Sequence, residues 1–353
     1  MRIIFLGTDR SLFTSGSAVS ERMKHFGALT PTDSLSTIVF STRAHGVREA
    51  KEIAPNVHAY PTSSVSRLLY GWDALRIARR FARPDVISAQ DPFETGLAAF
   101  FMARALKAPF VVEIHTDFLS PAFGRHSFLN RVRLLIARFV LSRASGYYAV
   151  SETLEKGIKE RYRLHAPSST LPIFADLQRF ASIVRAKEDG ALLWVGRFEA
   201  EKNPMLALSA LAALRATGID ANLTMLGSGR LFARLRAYAS ELGLAGSVTF
   251  PGWTDSKPYL ARTELMLATS RFEGYGMAIV EALAARVPVL STDVGVARAA
   301  GAVIAGPDFA ESLIAWFSGA RAAGTLARMP YADEAAYLRA VREFYTRVAH
   351  SRI

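Results

Sequence analysis

Short apolar runs alternate with amphipathic stretches along the chain. In the first half, Arg2–Gly7, Ser36–Ser41, Asp85–Ala89, Phe110–Ile114 and Gly146–Val150 read as strands, bounded by turn residues. Between them Ala18–Phe26, Ser66–Phe81 and Thr95–Leu106 carry the helical period. Apolar strands interleaved with amphipathic helices specify a parallel sheet covered on both faces. The pattern then restarts. Ala191–Gly196 is a strand, a helix opens near Pro204, and Asn222–Gly227, Ser247–Phe250, Glu264–Ala268 and Val287–Thr292 are further strands. Two open α/β sheets in series imply two domains and a cleft, with ligands beyond the carboxyl ends of the strands. The polar stretch Arg179–Gly190 marks the boundary, and Asp333–His350 reads as a terminal helix. The expected division is residues 1–180, residues 181–335 and a terminal helix over 336–353. No internal repeat or low-complexity tract interrupts it.

Composition narrows the class. The 353 residues are 50% hydrophobic and 21% charged, as in a globular chain with sizeable cores. There is no cysteine, which excludes disulfides and thiolate metal sites and fits a reducing compartment. The apolar run in MRIIFLGTDR is too short for a signal-peptide core, and no run approaches the roughly 18 apolar residues of a membrane span. The expectation is a soluble, cytoplasmic protein. The formal charge is +12 and is unevenly spread. Residues 1–187 hold 26 Lys and Arg against 15 Asp and Glu, whereas residues 188–353 hold 17 against 16. A basic first half meets something anionic: phosphate, nucleic acid or an acidic membrane surface.

Three segments of the second half carry candidate chemistry. In LWVGRFEAEKNP (193–204) a strand ends at Gly196, and Arg197 and Lys202 follow on the loop before Pro204 opens a helix. Two cations there can hold a diphosphate, Arg by its fork and Lys as a point charge; the plain alternative is two solvated charges. MLGSGR (225–230) has Phe232 where a dinucleotide fingerprint needs a third Gly, so it reads as a tight turn and not as an NAD site. VTFPGW (248–253) ends a strand where Trp253 meets a flat base or simply packs. SRFEGYGMAIVEALA (270–284) is the most informative. Glu273 lies on a Gly-rich loop with Gly274, Tyr275 and Gly276. A helix begins near Met277, and Glu281 lies in its second turn on an otherwise apolar surface. The helix start offers free N–H groups to a phosphate. A carboxylate on an apolar helix is costly unless something pairs with it, and a ribose diol is a suitable partner; the alternative is a salt-bridged structural Glu.

In order and spacing these segments resemble the retaining nucleotide-sugar glycosyltransferases of family 4, over essentially the whole chain. The resemblance rests on Gly196, Arg197, Lys202 and Asn203 with the Glu-x7-Glu of Glu273 and Glu281. It implies an α/β fold of two Rossmann-like domains facing across a cleft (GT-B), with the C-terminal helix crossing back to the first. It also implies that Arg197 and Lys202 hold the donor diphosphate and Glu281 the ribose. Glu273 and the backbone of Gly274–Met277 would then lie at the transferred sugar and phosphates. The chain departs from the family after Val294-Gly295, where Val296, Ala297 and Arg298 replace the usual Gly and Glu.

By the same resemblance, Gly7 and the loop TSGSA (14–18), with Gly16, line the cleft opposite the donor; an ordinary turn with Ser15 or Ser17 as helix cap explains that loop equally well. VVEIHTD (111–117) ends a buried strand in polar residues, and His115 matches a His that the family places beside the donor sugar. Asp91, in AQDPFE (89–94), and Asp117 are acceptor-side candidates, while Glu113 and Asp117 can also be orienting groups. The basic helix within residues 124–143 can dock on an anionic bilayer, or bury its apolar face on the sheet and leave its Arg side chains in water.

The expected function is transfer of a hexose-type sugar, with retention, from a UDP- or GDP-linked donor to a lipid-linked or saccharide acceptor in cell-envelope or surface glycan synthesis. His115, Glu273, Arg197 and Lys202 are the catalytic candidates. No Asp-x-Asp occurs, so neither a metal nor another cofactor is expected. Expected partners are the sugar nucleotide, the acceptor and an anionic membrane surface; no nucleic acid is expected, and the placement is cytoplasmic or peripheral on the inner face of the membrane. Rival readings are a nucleic-acid binder suggested by the pI of about 10.1, a non-catalytic sugar-nucleotide sensor, and a nucleotide-sugar epimerase.

Overall fold

The computed structural model describes residues 1–29, 34–319, 321 and 323–351. The strands of the first half are β1 (Ile3–Gly7), β2 (Leu35–Val39), β3 (Lys51–Ala54), β4 (Val57–Pro61), β5 (Val86–Ala89), β6 (Phe110–Ile114), β7 (Gly146–Ala149) and β8 (Ser168–Thr170). The helices among them are α1 (Ala18–Phe26), α2 (Tyr70–Ala78), α3 (Glu94–Leu106), α4 (Pro121–His126), α5 (Phe128–Leu141) and α6 (Glu152–Tyr162). The second half adds α7 (Gln178–Ala181), β9 (Ala191–Val195), α8 (Pro204–Ala216), β10 (Asn222–Leu226), α9 (Phe232–Glu241), β11 (Val248–Gly252) and α10 (Lys257–Arg262). It continues through β12 (Leu265–Ala268), α11 (Met277–Ala284), β13 (Val289–Ser291), α12 (Ala297–Ala300), β14 (Val303–Ile304), α13 (Phe309–Ser318) and α14 (Glu334–His350).

The strands form two sheets. The first has the order β3-β4-β2-β1-β5-β6-β7-β8 and the second β11-β10-β9-β12-β13-β14. Every pairing is parallel except β3 with β4. The central strands β1, β2, β5, β6 and β7 are buried throughout, as a parallel sheet covered on both faces requires. The order reverses direction at β1, which pairs with both β2 and β5, and at β9, which pairs with both β10 and β12. At such reversals the loops diverge and a binding crevice opens.

Two compact units result: residues 1–172 with 333–353, and residues 173–332. This moves the expected boundary between 180 and 181 to an earlier point. The short helix α7, with buried Phe180, packs on α11 and so belongs to the second unit. The terminal helix crosses back to the first unit, as the resemblance implied: Phe344, Tyr345 and Val348 of α14 are buried there, against Tyr148, Phe5 and Gly146. Residues 352 and 353 of the expected terminal helix lie outside the described residues. On one face of the second sheet, Trp194, Met225 and Leu267 form a core with Phe198, with Leu208 and Leu211 of α8, and with residues of α9 and α13. No described helix is long and apolar enough to cross a membrane.

Candidate active site

Three loops at the carboxyl ends of β9, β12 and β13 are tied together in the second unit. The Thr269 hydroxyl bridges the carbonyls of Lys202 and Asn203 at 3.1 and 3.0 Å and accepts the Trp194 indole N–H at 3.0 Å. The Arg271 N–H donates to the Glu201 carbonyl at 2.8 Å, and the Thr292 hydroxyl donates to that of Ser270 at 2.6 Å. Buried hydrogen bonds of this kind fix loop positions because breaking one strands a polar group out of water. Within this frame the Lys202 ammonium meets the Glu273 carboxylate, which also accepts the Ser270 hydroxyl at 2.8 Å.

Arg197 stands apart. Its side chain is 63% exposed, and its guanidinium reaches Glu201 at 2.8 Å, four residues on. That surface pair is easily exchanged for a ligand phosphate. The neighbouring Glu199 holds Arg230 at 2.9 Å, which anchors the loop after β10 to the loop after β9. Gly227 of that turn has φ +153, and a Cβ there would stand 1.8 Å from the Gly196 carbonyl. Its glycine is thus required for the two loops to touch, the tight-turn role read from the sequence. Trp253, just past β11, is 70% exposed, so the packing alternative does not hold for it.

Gly276 caps α11 with φ +100, a conformation that side-chain-bearing residues rarely adopt. Among the described residues no side chain caps this helix start, so the N–H groups of Met277 and Ala278 face an incoming anion, while that of Ile279 donates to the Gly276 carbonyl. Gly274 and Tyr275 before it are buried, and burial pushes the Tyr275 phenol up to about 12. Glu281 lies in the second turn of α11. Among the described residues its carboxylate has no hydrogen bond or ion pair, and burial pushes it up to about 7; Arg179 pulls it partly back, and Asp255 adds to the push. The salt-bridged alternative for this residue therefore fails. Arg179, on α7, and Asp255 were not singled out from the sequence. Neither sits in a recognisable pattern, and α7 is a single turn.

The first unit holds a second polar group, at the end of β6. Glu113 is buried and accepts hydrogen bonds from Ser88 at 2.7 Å and from the Tyr345 hydroxyl of α14 at 3.2 Å. Its other oxygen faces His115 Nε2 at 3.0 Å. Burial raises this carboxyl, but the hydrogen bond and charge of His115 and the bonds from Ser88 and Tyr148 outweigh it and hold it below its usual range. Such a carboxylate fixes the tautomer and orientation of its imidazole. Asp91 and Asp117 are both engaged locally. Asp91 accepts the Phe93 N–H at 2.7 Å, and Asp117 accepts those of Leu119 and Ser120 at 3.0 and 3.2 Å. Burial raises both. These bonds shape the starts of α3 and α4. In the loop before α1, Ser17 is the cap, accepting the Ser20 N–H at 3.1 Å, while Ser15 accepts from Lys51. Gly16 is left-handed, and a Cβ there would meet nothing within 4 Å; Gly7 is buried at the end of β1.

A separate cleft of about 520 Å³ opens at the amino ends of β9, β12 and β13, between Arg185, Lys187, Glu264, Arg286 and Trp316. It lies at the wrong end of the sheet for a ligand of the loops above. Its buried Glu264 is already satisfied by Lys187, Arg321 and the Gly190 N–H, at 3.0, 2.7 and 2.6 Å.

Comparisons agree with this arrangement. Residues 178–301 match the family model for glycosyl transferases group 1, and residues 36–179 match that for glycosyltransferase family 4. Alpha-monoglucosyldiacylglycerol synthase of Streptococcus pneumoniae is 26% identical over 239 residues, 62% of this chain and 54% of that protein. The chain thus spans about half the length of this curated relative. Among solved structures, the lipopolysaccharide outer core galactosyltransferase WaaB in its apo form is similar over 98% of this chain and 99% of its own, with TM-score 0.70 and 19% identity. Anabaena HepE, in complex with UDP and glucose, is similar over 100% of this chain and 95% of its own, with TM-score 0.67 and 16% identity. With two α/β units in series, the group 1 match on the second and the family 4 match on the first, this chain belongs to the family 4 type of glycosyltransferases with the GT-B fold.

Proposed function

We propose that this chain transfers a hexose-type sugar, with retention, from a UDP- or GDP-linked donor to a lipid-linked or saccharide acceptor in cell-envelope or surface glycan synthesis. The observation that carries the reading is Glu281. A half-buried carboxylate without a partner costs free energy, and a ribose diol of the donor would supply the missing hydrogen-bond donors. Four residues before it, the uncapped start of α11 suits the donor phosphates.

In this reading Arg197 and Lys202 neutralise the diphosphate as it leaves. That is preorganised stabilisation of charge developing in the transition state, the kind of term worth orders of magnitude in rate. The donor diphosphate competes with Glu273 for Lys202 and with Glu201 for Arg197. Glu273, once released, turns to the hydroxyls of the sugar. In the first unit the pair of His115 and Glu113 suits a sugar hydroxyl, with His115 kept in one tautomer. Asp91 and Asp117, each already bonded to backbone N–H groups, act on the acceptor only through their second oxygens. Action without a metal or other cofactor belongs to the same reading, as does a cytoplasmic place at the inner membrane face. The monoglucosyldiacylglycerol synthase similarity favours a lipid-linked acceptor, and the UDP complex of HepE favours a nucleotide-diphosphate donor.

The test is a thermal-shift series with UDP, GDP, ADP, CMP and their sugar conjugates, with the metal removed. A ligand at a hundred times its dissociation constant adds about 2.7 kcal/mol. A rise with one nucleoside diphosphate supports the reading and names the base. A folded sample indifferent to all of them overturns it.

A further inference from the structure

The outer surface of α2, α3 and α5 is at once apolar and positively charged. The chain moves in one direction along the sheet through β4, β5, β6 and β7, so right-handed crossovers put these helices on one face. There α2 packs on α3 and α3 on α5, forming one continuous layer. Each helix buries apolar residues inward, for instance Ala74 and Ala78, Ala99 and Met102, or Ala137 and Val140. The outward positions are not the polar ones expected of such a layer.

Leu68, in the turn leading into α2, is 94% exposed, and Trp72 one helical turn on is 61% exposed. Arg76 and Arg80 continue the same four-residue stripe. On α3 the outward residues are Phe101 and Arg104; on α5 they are Phe128, Arg131, Leu135 and Arg138, with Phe128 79% and Leu135 72% exposed. Isolated exposed apolar residues need no explanation, but a contiguous set across three packed helices does. The three helices contain two carboxylates, Asp73 and Glu94, and both are ion-paired, to Arg76 and Arg133. The Arg143 guanidinium lies over the Phe139 ring, 4.0 Å from its centroid.

We infer that this three-helix layer docks on an anionic phospholipid surface, with Leu68, Trp72, Phe101, Phe128 and Leu135 entering the interface and the arginines meeting lipid phosphates. The charge complementarity selects anionic lipid, and the mixture of aliphatic and aromatic side chains suits the boundary between headgroups and acyl chains. The sequence shows only the α5 part of this face, and for that helix it favours burial on the sheet over docking. The structure shows α5 doing one with each side: it buries Ala137, Val140 and Leu141 and exposes Phe128, Leu135 and Phe139. The inference rests on the proposed function only for its choice of a lipid-linked acceptor.

Flotation of the whole chain with vesicles tests it. Binding is expected to vesicles of phosphatidylcholine with about 30% phosphatidylglycerol, to weaken with salt, and to be slight on phosphatidylcholine alone. Replacing Arg76, Arg80, Arg131 and Arg138 by Glu should lower partitioning more than a hundredfold, at about fivefold (about 1 kcal/mol) for each arginine lost. The set Leu68→Ser, Trp72→Ser, Phe101→Ser and Leu135→Ser should lower it at least tenfold with unchanged circular dichroism. Tryptophan emission should shift to the blue on anionic vesicles, and Trp72→Phe should remove that shift. Binding indifferent to lipid charge, charge-reversed protein that floats like the parent, oligonucleotide binding in place of vesicle binding, or a dimer that occupies these residues would each overturn the inference. Nucleotide binding is measured on the same samples. Its survival without flotation sinks this surface alone, and flotation without it sinks the donor reading alone.

Discussion

The Lys202 ammonium is paired with the Glu273 carboxylate, two groups 71 residues apart in the chain, on loops that Thr269 and Thr292 hold together. Both side chains are mostly buried, at 21% and 16% exposure, so neither charge can be left alone. Binding of a diphosphate therefore exchanges one anion for another at Lys202. Lys202→Ala should weaken nucleoside-diphosphate binding and lower turnover by two orders of magnitude or more, about 3 kcal/mol. Glu273→Gln should have the opposite effect on binding, holding or raising affinity for the free nucleotide while turnover falls. Calorimetric titration beside a steady-state assay separates the two. Equal loss of binding in both variants would mean that the pair is merely structural.

Glu281 gives the second prediction, which concerns pH. Its folded pKa, about 7, lies above its ordinary 4.5. Between those values the folded chain holds the proton that the unfolded chain has lost. Its contribution to stability is thus fullest below about pH 4.5 and falls as pH rises through 7, by about 3 kcal/mol at most. Glu281→Gln should be more stable than the parent at pH 8 and show no advantage at pH 4.5, as read by urea unfolding. Nucleotide affinity should run the other way. An ionised carboxylate is the better acceptor for a ribose diol, so parent affinity rises from pH 6 to 8 more than that of the variant. A variant that binds nucleotide as tightly as the parent at pH 8 would remove Glu281 from the site.

Arg197 is the cleanest probe of the diphosphate assignment because it is exposed. Its surface pair with Glu201 is worth about 1 kcal/mol at most, so Arg197→Ala should leave the melting temperature nearly unchanged. Turnover should nevertheless fall by two to three orders of magnitude, the usual scale for losing a group that stabilises developing charge. A normal rate in this variant would end the assignment of Arg197 to the diphosphate.

How far the sequence carries can be followed residue by residue. The central strands are legible in the sequence: Phe110–Ile114 has the expected bounds, because a buried parallel strand is a near-continuous apolar run, interrupted here by Glu113 alone. Lys51–Ala54, Val57–Pro61 and Ser168–Thr170 were missed, since strands at or near a sheet edge mix polar with apolar positions and Ser168–Thr170 has no apolar residue at all. The carboxylate of Glu281 stood out as a polar group on an apolar helix, but nothing in the order of residues showed that it lacks a partner. Nor did anything show that Lys202 and Glu273 meet, because loop-to-loop contacts depend on how strands are ordered in the sheet. The periodicity of Asp333–His350 specified a helix and not what it packs against.

That last helix leads to the final prediction. Tyr345 reaches from α14 into the first unit to donate to Glu113 at 3.2 Å, with its oxygen 3.0 Å from the Ser88 hydroxyl. Tyr345→Phe keeps the ring and its edge contacts with Phe5 and Tyr148 but removes one donor to a fully buried carboxylate. Losing such a donor costs about 1–3 kcal/mol, so the variant should unfold at lower urea with an unchanged m-value. Glu113 also orients His115, and a carboxylate with one donor fewer binds its remaining proton partner more strongly. Glu113→Gln, which keeps the side-chain shape but removes the charge beside His115 Nε2, should therefore lower turnover more than Tyr345→Phe does. A parent-like unfolding midpoint in Tyr345→Phe would mean that this bond to Glu113 adds nothing to the hold of the terminal helix on the first unit.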